Sequence, residues 1–304
     1  MNPVIFAYKA LRALISPRYR FLALAHRGFY DSMPDEEYLK RMYKCEMGRE
    51  LDLQNPKTLT EKMQWLKLYD RNPEYTALSD KYEAKSRIAA LIGEEYVIPT
   101  LGVWDDVGDI DFDMLPEKFA LKCTHDSGSV LLCMDRKRFS IPAARRKLTR
   151  SLRRNFYFQA REWCYKDIKP RIIAEPYLTD ESGSELKDYK IFCFNGNPEY
   201  VEVDFNRFIK HKLNPYDFDW NPLNFCDTSK NDYSADIPRP ERLDDMREIA
   251  RTLSRGKKLL RVDFYSIGSR IYVGELTFYP GGGFIHFDPP EVDYRYGALL
   301  RLED

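Results

Sequence analysis

The chain has 304 residues, with 48 basic side chains against 48 acidic ones. That balance excludes a global field able to gather nucleic acid, so any basic site has to be local. Six cysteines without a CxxC pattern argue against zinc and against a disulfide framework, and no apolar run approaches the roughly 20 residues that span a bilayer.

Residues 1–33 read as a basic amphipathic segment. The first thirty contain no acid but carry Lys9, Arg12, Arg18, Arg20 and Arg27 among Val4, Ile5, Phe6, Leu11, Leu14, Phe21 and Leu22. Such a helix either packs on its own domain or lies on an anionic membrane face. Residues 34–93 read as a helical region. Pro34 to Glu37 is a helix start, and Leu39, Met42 and Tyr43 form its stripe. Thr58 to Glu61 starts a second helix, and Tyr75 to Ile92 reads as a third.

From 94 the periodicity changes, and 94–178 reads as a small lobe. Phe119–Cys123 and Ser129–Cys133 are short strands around the turn Thr124–Gly128, a helix follows from Ile141 to Leu152, and Arg171–Tyr177 is a strand. Residues 179–304 read as a larger lobe. Asp188–Phe194 and Glu199–Phe205 pair around Asn195-Gly196. A helix covers Glu241–Arg255, and Leu259–Tyr265 with Arg270–Phe278 make a last hairpin around Gly268. The class is α+β, with two lobes rather than a regular βαβ array.

Several residues bear chemistry. In the last hairpin, Arg261 and Asp263 share one strand face, as do Glu275 and Thr277. Asp263 and Glu275 would serve a hard cation such as Mg²⁺, which needs few protein ligands beside phosphates; a surface hairpin with scattered charges is the alternative, equally open from these residues alone. Lys122 lies in an otherwise apolar strand, where an ammonium requires an anion. The turn beside it, His125, Asp126, Ser127, Gly128 and Ser129, can lay N–H groups over phosphates, although it does not fit the P-loop pattern. Lys81 is a second phosphate ligand or a solvated helical lysine. Glu175, Tyr177 and Leu178 sit at a strand exit able to meet a nucleoside. Arg207 and His211 could contact an anionic substrate or form local salt bridges. The remaining histidines mark no triad, while Asp111/Asp113 and Asp217/Asp219 keep a glycosyltransferase reading open.

Taken in order, Lys81, Lys122 with its Ser/Gly turn, Glu175 to Leu178, Arg261-Val262-Asp263 and Glu275 to Gly281 resemble the ATP-grasp superfamily. The stretches Asn55–Asp70, Leu121–Gly128, Lys187–Gly196 and Gly274–Phe278 resemble, more narrowly, its TupA-like branch, associated with teichuronopeptide and other surface-polysaccharide biosynthesis. The resemblance runs from about Pro34 to the C-terminus. It implies an ATP-grasp fold holding ATP between two antiparallel sheets, and a carboxylate–amine ligase that forms an amide through an acyl phosphate. Lys81 and Lys122 would grip the phosphates, the 125–129 turn would close over them, and Glu175 through Leu178 would hold adenine and ribose. Lys190 joins this cofactor-binding set. Asp263, Glu275 and Thr277 would carry Mg²⁺, Arg261 and Lys122 would act catalytically, and Gly281, Gly282 and Gly283 would approach the substrate beside Arg207 and His211. Thr277 stands where many ATP-grasp enzymes have Asn, which puts a second metal ion in question. The expected substrates are a uronic acid and an amino acid or short peptide, in the cytoplasm, with peripheral contact at the inner membrane face through residues 1–30 as an option. Competing readings are an ATP-grasp sugar kinase, a glycosyltransferase of the same pathway and a nucleotide sensor without turnover.

Overall fold

A computed structural model describes residues 16–181, 183, 185–206, 210–227 and 231–303. The described residues open with two helices, α1 (Pro17–Ala25) and α2 (Asp35–Met47), the latter starting on three acids at the positive end of its dipole. Phe21, Ala25, Tyr38, Leu39, Met42, Tyr43 and Leu51 form a small core of their own, with Phe284 packed against it. The buried Arg161 guanidinium pins this layer, donating to the Tyr30, Asp31 and Met33 carbonyls at 2.7, 3.2 and 3.3 Å and lying 4.3 Å from the Tyr38 ring. Residues 1–15 of the basic segment lie outside the described residues. Of the rest, α1 buries Phe21 and Ala25 against the protein.

Helix α3 (Leu59–Tyr69) starts with a capping box, in which the Thr58 hydroxyl accepts from the Glu61 amide and the Glu61 carboxylate from the Thr58 amide. The helix expected over Tyr75–Ile92 is two: α4 (Glu74–Ser79) and α5 (Glu83–Ile92). Asp80 interrupts it, because its Oδ1 accepts from the Tyr82 and Glu83 amides at 2.8 and 3.3 Å while Oδ2 holds Arg171 at 3.0 Å. Lys81 therefore stands between helices, its backbone N–H donating to the Thr124 carbonyl at 3.1 Å.

Strands β1 (Gly102–Trp104), β2 (Phe119–Cys123), β3 (Leu131–Cys133) and β4 (Ile172–Pro176) form an antiparallel sheet in the order β1-β4-β2-β3. Phe119, Leu121, Cys123, Ile172 and Ala174 point to one face, where they meet Leu148 of α6 (Ile141–Leu152). Alternation sends Ala120, Lys122 and Glu175 to the other. After the short α7 (Tyr157–Ala160) comes a five-stranded antiparallel sheet. Its strands are β5 (Asp188–Phe194), β6 (Asn197–Phe205), β7 (Lys212–Tyr216), β8 (Leu259–Ile267) and β9 (Arg270–Thr277), ordered β7-β6-β5-β8-β9. Ile191, Cys193, Val201, Val203, Leu260 and Val262 fill one face together with Met246, Ala250 and Leu253 of α8 (Leu243–Ser254). This largest core also takes in Leu59, Met63 and Leu66 of α3 and Tyr296 of α9 (Glu291–Leu299). Asp293 joins α9 to α3, accepting from the Thr60 amide at 2.9 Å, and also accepts from Arg49 at 2.7 Å.

No helix among the described residues is long and apolar enough to cross a membrane.

Candidate functional site

Directly opposed residues of antiparallel strands share a face. The register of the five-stranded sheet therefore lines up Glu202, Lys190, Asp263 and Glu275 across β6, β5, β8 and β9. The next row holds Tyr200, Phe192, Arg261 and Thr277. One face of this sheet is thus hydrocarbon and the other is dense with charge, and the charged face turns toward Lys81 and Lys122.

Two ion pairs define its centre. Arg261 donates from Nε and Nη2 to the two Asp263 oxygens at 2.6 and 2.7 Å, and from Nη2 to the Thr277 hydroxyl at 3.2 Å. Lys81 Nζ lies 2.9 Å from Glu275 Oε1 and also donates to the Asp126 carbonyl at 2.7 Å. Burial would raise the Glu275 carboxyl, but Lys81 and then Arg261 outweigh it and hold it at about 2. The Arg261 guanidinium is held above its ordinary value by Asp263, which overcomes its burial.

The residues fit a hard cation. Asp263 and Glu275 are cross-strand partners, with Thr277 two pairs further on, opposite Arg261. Among the described residues no three His, Cys, Asp or Glu side chains gather to hold a metal. Two carboxylates beside bound phosphates are what Mg²⁺ requires, and a complete protein cage is not.

A cavity of about 260 Å³ lies beside this centre, between the sheets. Lys122, Glu175, Tyr177 and Leu178 line it from the small sheet, and Asp188 and Tyr265 from the large one. Glu175 binds two lysines, Lys122 at 2.6 Å and Lys85 at 2.7 Å. The carboxyl is buried, which alone would raise it; the two ammoniums win and lower it. Lys85, in α5 and four residues beyond Lys81, is a cleft residue that sequence reasoning misses; in the unbroken helix expected there, that spacing would have set it on the side of Lys81.

The 125–129 turn divides its labour. His125 is buried, with Nε2 within 3.2 and 3.1 Å of the Ser151 and Arg154 carbonyls at the end of α6, so it anchors the turn and does not face the cleft. Asp126 accepts from the Ser129 hydroxyl at 2.5 Å and from that of Ser151, and Ser129 accepts from the Cys123 amide at 2.8 Å. Only Ser127 and Gly128 form an exposed tip. Lys190 pairs with Asp204, and His211 Nε2 lies 3.3 Å from the same carboxylate. Arg207 lies outside the described residues.

The glycine turn is held from below. Buried Lys67 donates to the Gly282 carbonyl at 2.5 Å and to the Ala160 carbonyl at 2.9 Å, and Gln64 donates to the Gly283 carbonyl at 2.7 Å. Gly283 has φ of +74°, and a Cβ there would stand 2.5 Å from Gln64 Nε2. Gly283→Ala is therefore expected to displace Gln64 and cost about 1–2 kcal/mol in backbone strain. Turnover should fall while binding of a non-hydrolysable ATP analogue, followed by fluorescence, stays within about twofold of wild type; an equal loss of both would place the turn at the nucleotide instead.

The family model described as TupA-like ATPgrasp matches residues 61–301. No curated protein matches the chain. Among solved structures, it is similar to D-alanine–D-alanine ligase from Helicobacter pylori at 13% identity, with 80% of this chain and 68% of that one covered and a TM-score of 0.42. The corresponding ligase from Bacillus anthracis gives 14%, 73%, 65% and 0.42. The ATP-grasp ligase PsnB, complexed with a phosphomimetic variant of its minimal precursor, Mg and ADP, gives 12%, 72%, 56% and 0.36. The chain spans less than two thirds of the latter two structures. These likenesses are too distant to carry argument, whereas the family match covers most of the chain: the protein belongs to the TupA-like ATP-grasp family.

Proposed function

We propose that the chain is an ATP-dependent carboxylate–amine ligase, with ATP in the cavity between the sheets and chemistry at the Arg261–Asp263 and Lys81–Glu275 pairs. One observation carries the reading: two lysines from the small-lobe side and an arginine with two carboxylates from β8 and β9 converge on one cleft. Lys122 and Lys81 are placed for phosphate oxygens, exchanging Glu175 and Glu275 for the nucleotide. Tyr177 and Leu178 offer an apolar wall for the base, and the Ser127-Gly128 tip can close over the transferred group. Mg²⁺, when bound by Asp263 and Glu275, would supply charge neutralisation on the phosphates.

In the first step a carboxylate oxygen of the acid attacks the γ-phosphorus and ADP leaves with the bridging oxygen. In the second an amine nitrogen attacks the acyl carbon, inorganic phosphate leaves, and the nitrogen loses a proton. Arg261 is positioned to steady charge on the acyl oxygens in both. Such transfer rests on positioning and electrostatics, and no protein nucleophile is needed.

For substrates we propose a uronic acid of a surface polysaccharide and an amino acid or short peptide, after the biosynthetic association of the family. The test is an ADP-release screen of uronic acids with and without amines, with products read by mass. An amide found only when both are present is the expected result. A phosphorylated sugar formed without amine would replace the ligase by a kinase, and absence of ADP with every pair would reject these substrates.

A further inference from the structure

The charged face of the five-stranded sheet continues beyond Arg261 into a second cavity of about 320 Å³. Glu202, Asp227, Arg261 and Phe192 line it from the large lobe, and Glu46 of α2 lines it together with Phe284. Three carboxylates thus face one guanidinium, and that guanidinium already serves Asp263 and Thr277.

Glu202 decides what the cavity wants. It is only 4% exposed, and it makes no hydrogen bond or ion pair among the described residues. Its cross-strand neighbour Lys190 is committed to Asp204. A buried carboxylate without a partner is costly, so such a group either keeps its proton or awaits a cation. Burial and the nearby Asp227 push the Glu202 carboxyl up to about 8. Phe192 and Phe284 add aromatic wall, which suits an alkyl chain or the methylene next to an ammonium.

We propose that this cavity is the acceptor subsite and that it takes a primary amine bearing no carboxylate beside the nitrogen, its ammonium received by Glu202 and Glu46. The inference rests on the carboxylate–amine ligase reading and narrows its acceptor from an amino acid or short peptide to a short peptide or other amine without an α-carboxylate, since a free α-amino acid would bring a fourth carboxylate to a site that already holds three. A neighbouring cavity of about 230 Å³ shares Glu46, Gly281 and Phe284 and reaches Leu22 and His26, giving room for a longer acceptor. The N-terminal helices would then form one wall of the acceptor site.

The test is calorimetric titration of the full chain with n-butylamine, putrescine and L-glutamate, with and without the non-hydrolysable analogue AMP-PNP and Mg²⁺. Both amines should bind at least about tenfold more tightly than L-glutamate. Glu202→Gln should weaken them by about tenfold or more, with Glu46→Gln smaller in effect, while AMP-PNP affinity stays the same. Because Glu202 makes no hydrogen bond or ion pair among the described residues, the Gln variant should melt no lower than wild type, which separates a lost ligand contact from a lost fold. Equal amine affinity in Glu202→Gln, equal binding of L-glutamate, or no amine binding at millimolar concentration would each overturn the subsite. Failure of AMP-PNP to bind wild type would instead overturn the ligase reading, whatever the amines do.

Discussion

Asp263→Asn is expected to lower ATP-dependent ADP release by at least about a hundredfold, equivalent to some 2.7 kcal/mol of barrier, with little change in fold. Asp263 has two tasks that this change separates from its volume. It neutralises Arg261 through two hydrogen bonds, and it faces Glu275 across the ladder where a divalent cation would sit. The amide keeps the shape and one acceptor but no charge, so Arg261 loses its counter-ion and turns toward Glu275 and Thr277. A cation would then rest on Glu275 alone, itself shared with Lys81. The measurement is ADP release across a range of Mg²⁺ concentrations, with Lys122→Met in parallel. Both variants should fail, and only Asp263→Asn should shift the Mg²⁺ dependence. Unchanged turnover in the pair would remove the chemistry from this hairpin.

The hairpin was legible in the sequence because its information is local. Arg261 and Asp263 are two residues apart, as are Glu275 and Thr277, and a strand fixes their common face without help from the rest of the chain. The approach of Lys122 to an anion followed equally from an ammonium in an apolar strand. Lys81 was harder. Its surroundings have helical periodicity from Tyr75 to Ile92, and the break depends on Arg171, 91 residues away, drawing Asp80 out of the helix. His125 read as a polar turn residue, yet the carbonyls that capture it belong to the end of α6, which no local pattern announces. Strand β7 passed unrecognised because Pro215 lies within it; the edge position of β7 is what tolerates a residue lacking an N–H. Glu202, one of three acids in β6, acquires meaning only from the cavity beside it.

Glu175→Ala is expected to be the most destabilising single change in the cleft, by roughly 3–5 kcal/mol, because it leaves two buried ammoniums facing each other without a counter-ion. Lys85 and Lys122 keep only 14% and 12% of their side chains accessible, so water entering from the cavity replaces the carboxylate only in part. Restoring Lys85→Met in the same chain should recover much of the loss, since one lysine can then reach solvent or phosphate. AMP-PNP should also raise the melting temperature of the single variant by more than it raises that of wild type, through the anion it brings to Lys122. The pH dependence has a definite sign. The folded-state value of Glu175 lies below its ordinary 4.5, so its contribution is complete above that pH and is lost as the pH falls through the lowered folded value. Acid unfolding followed by circular dichroism should therefore be less steep in the Glu175→Ala, Lys85→Met double variant than in wild type between pH 4.5 and the unfolding midpoint. Identical acid limbs would mean that the two lysines do not hold Glu175 ionised, and the exchange of this carboxylate for a nucleotide phosphate would lose its electrostatic basis.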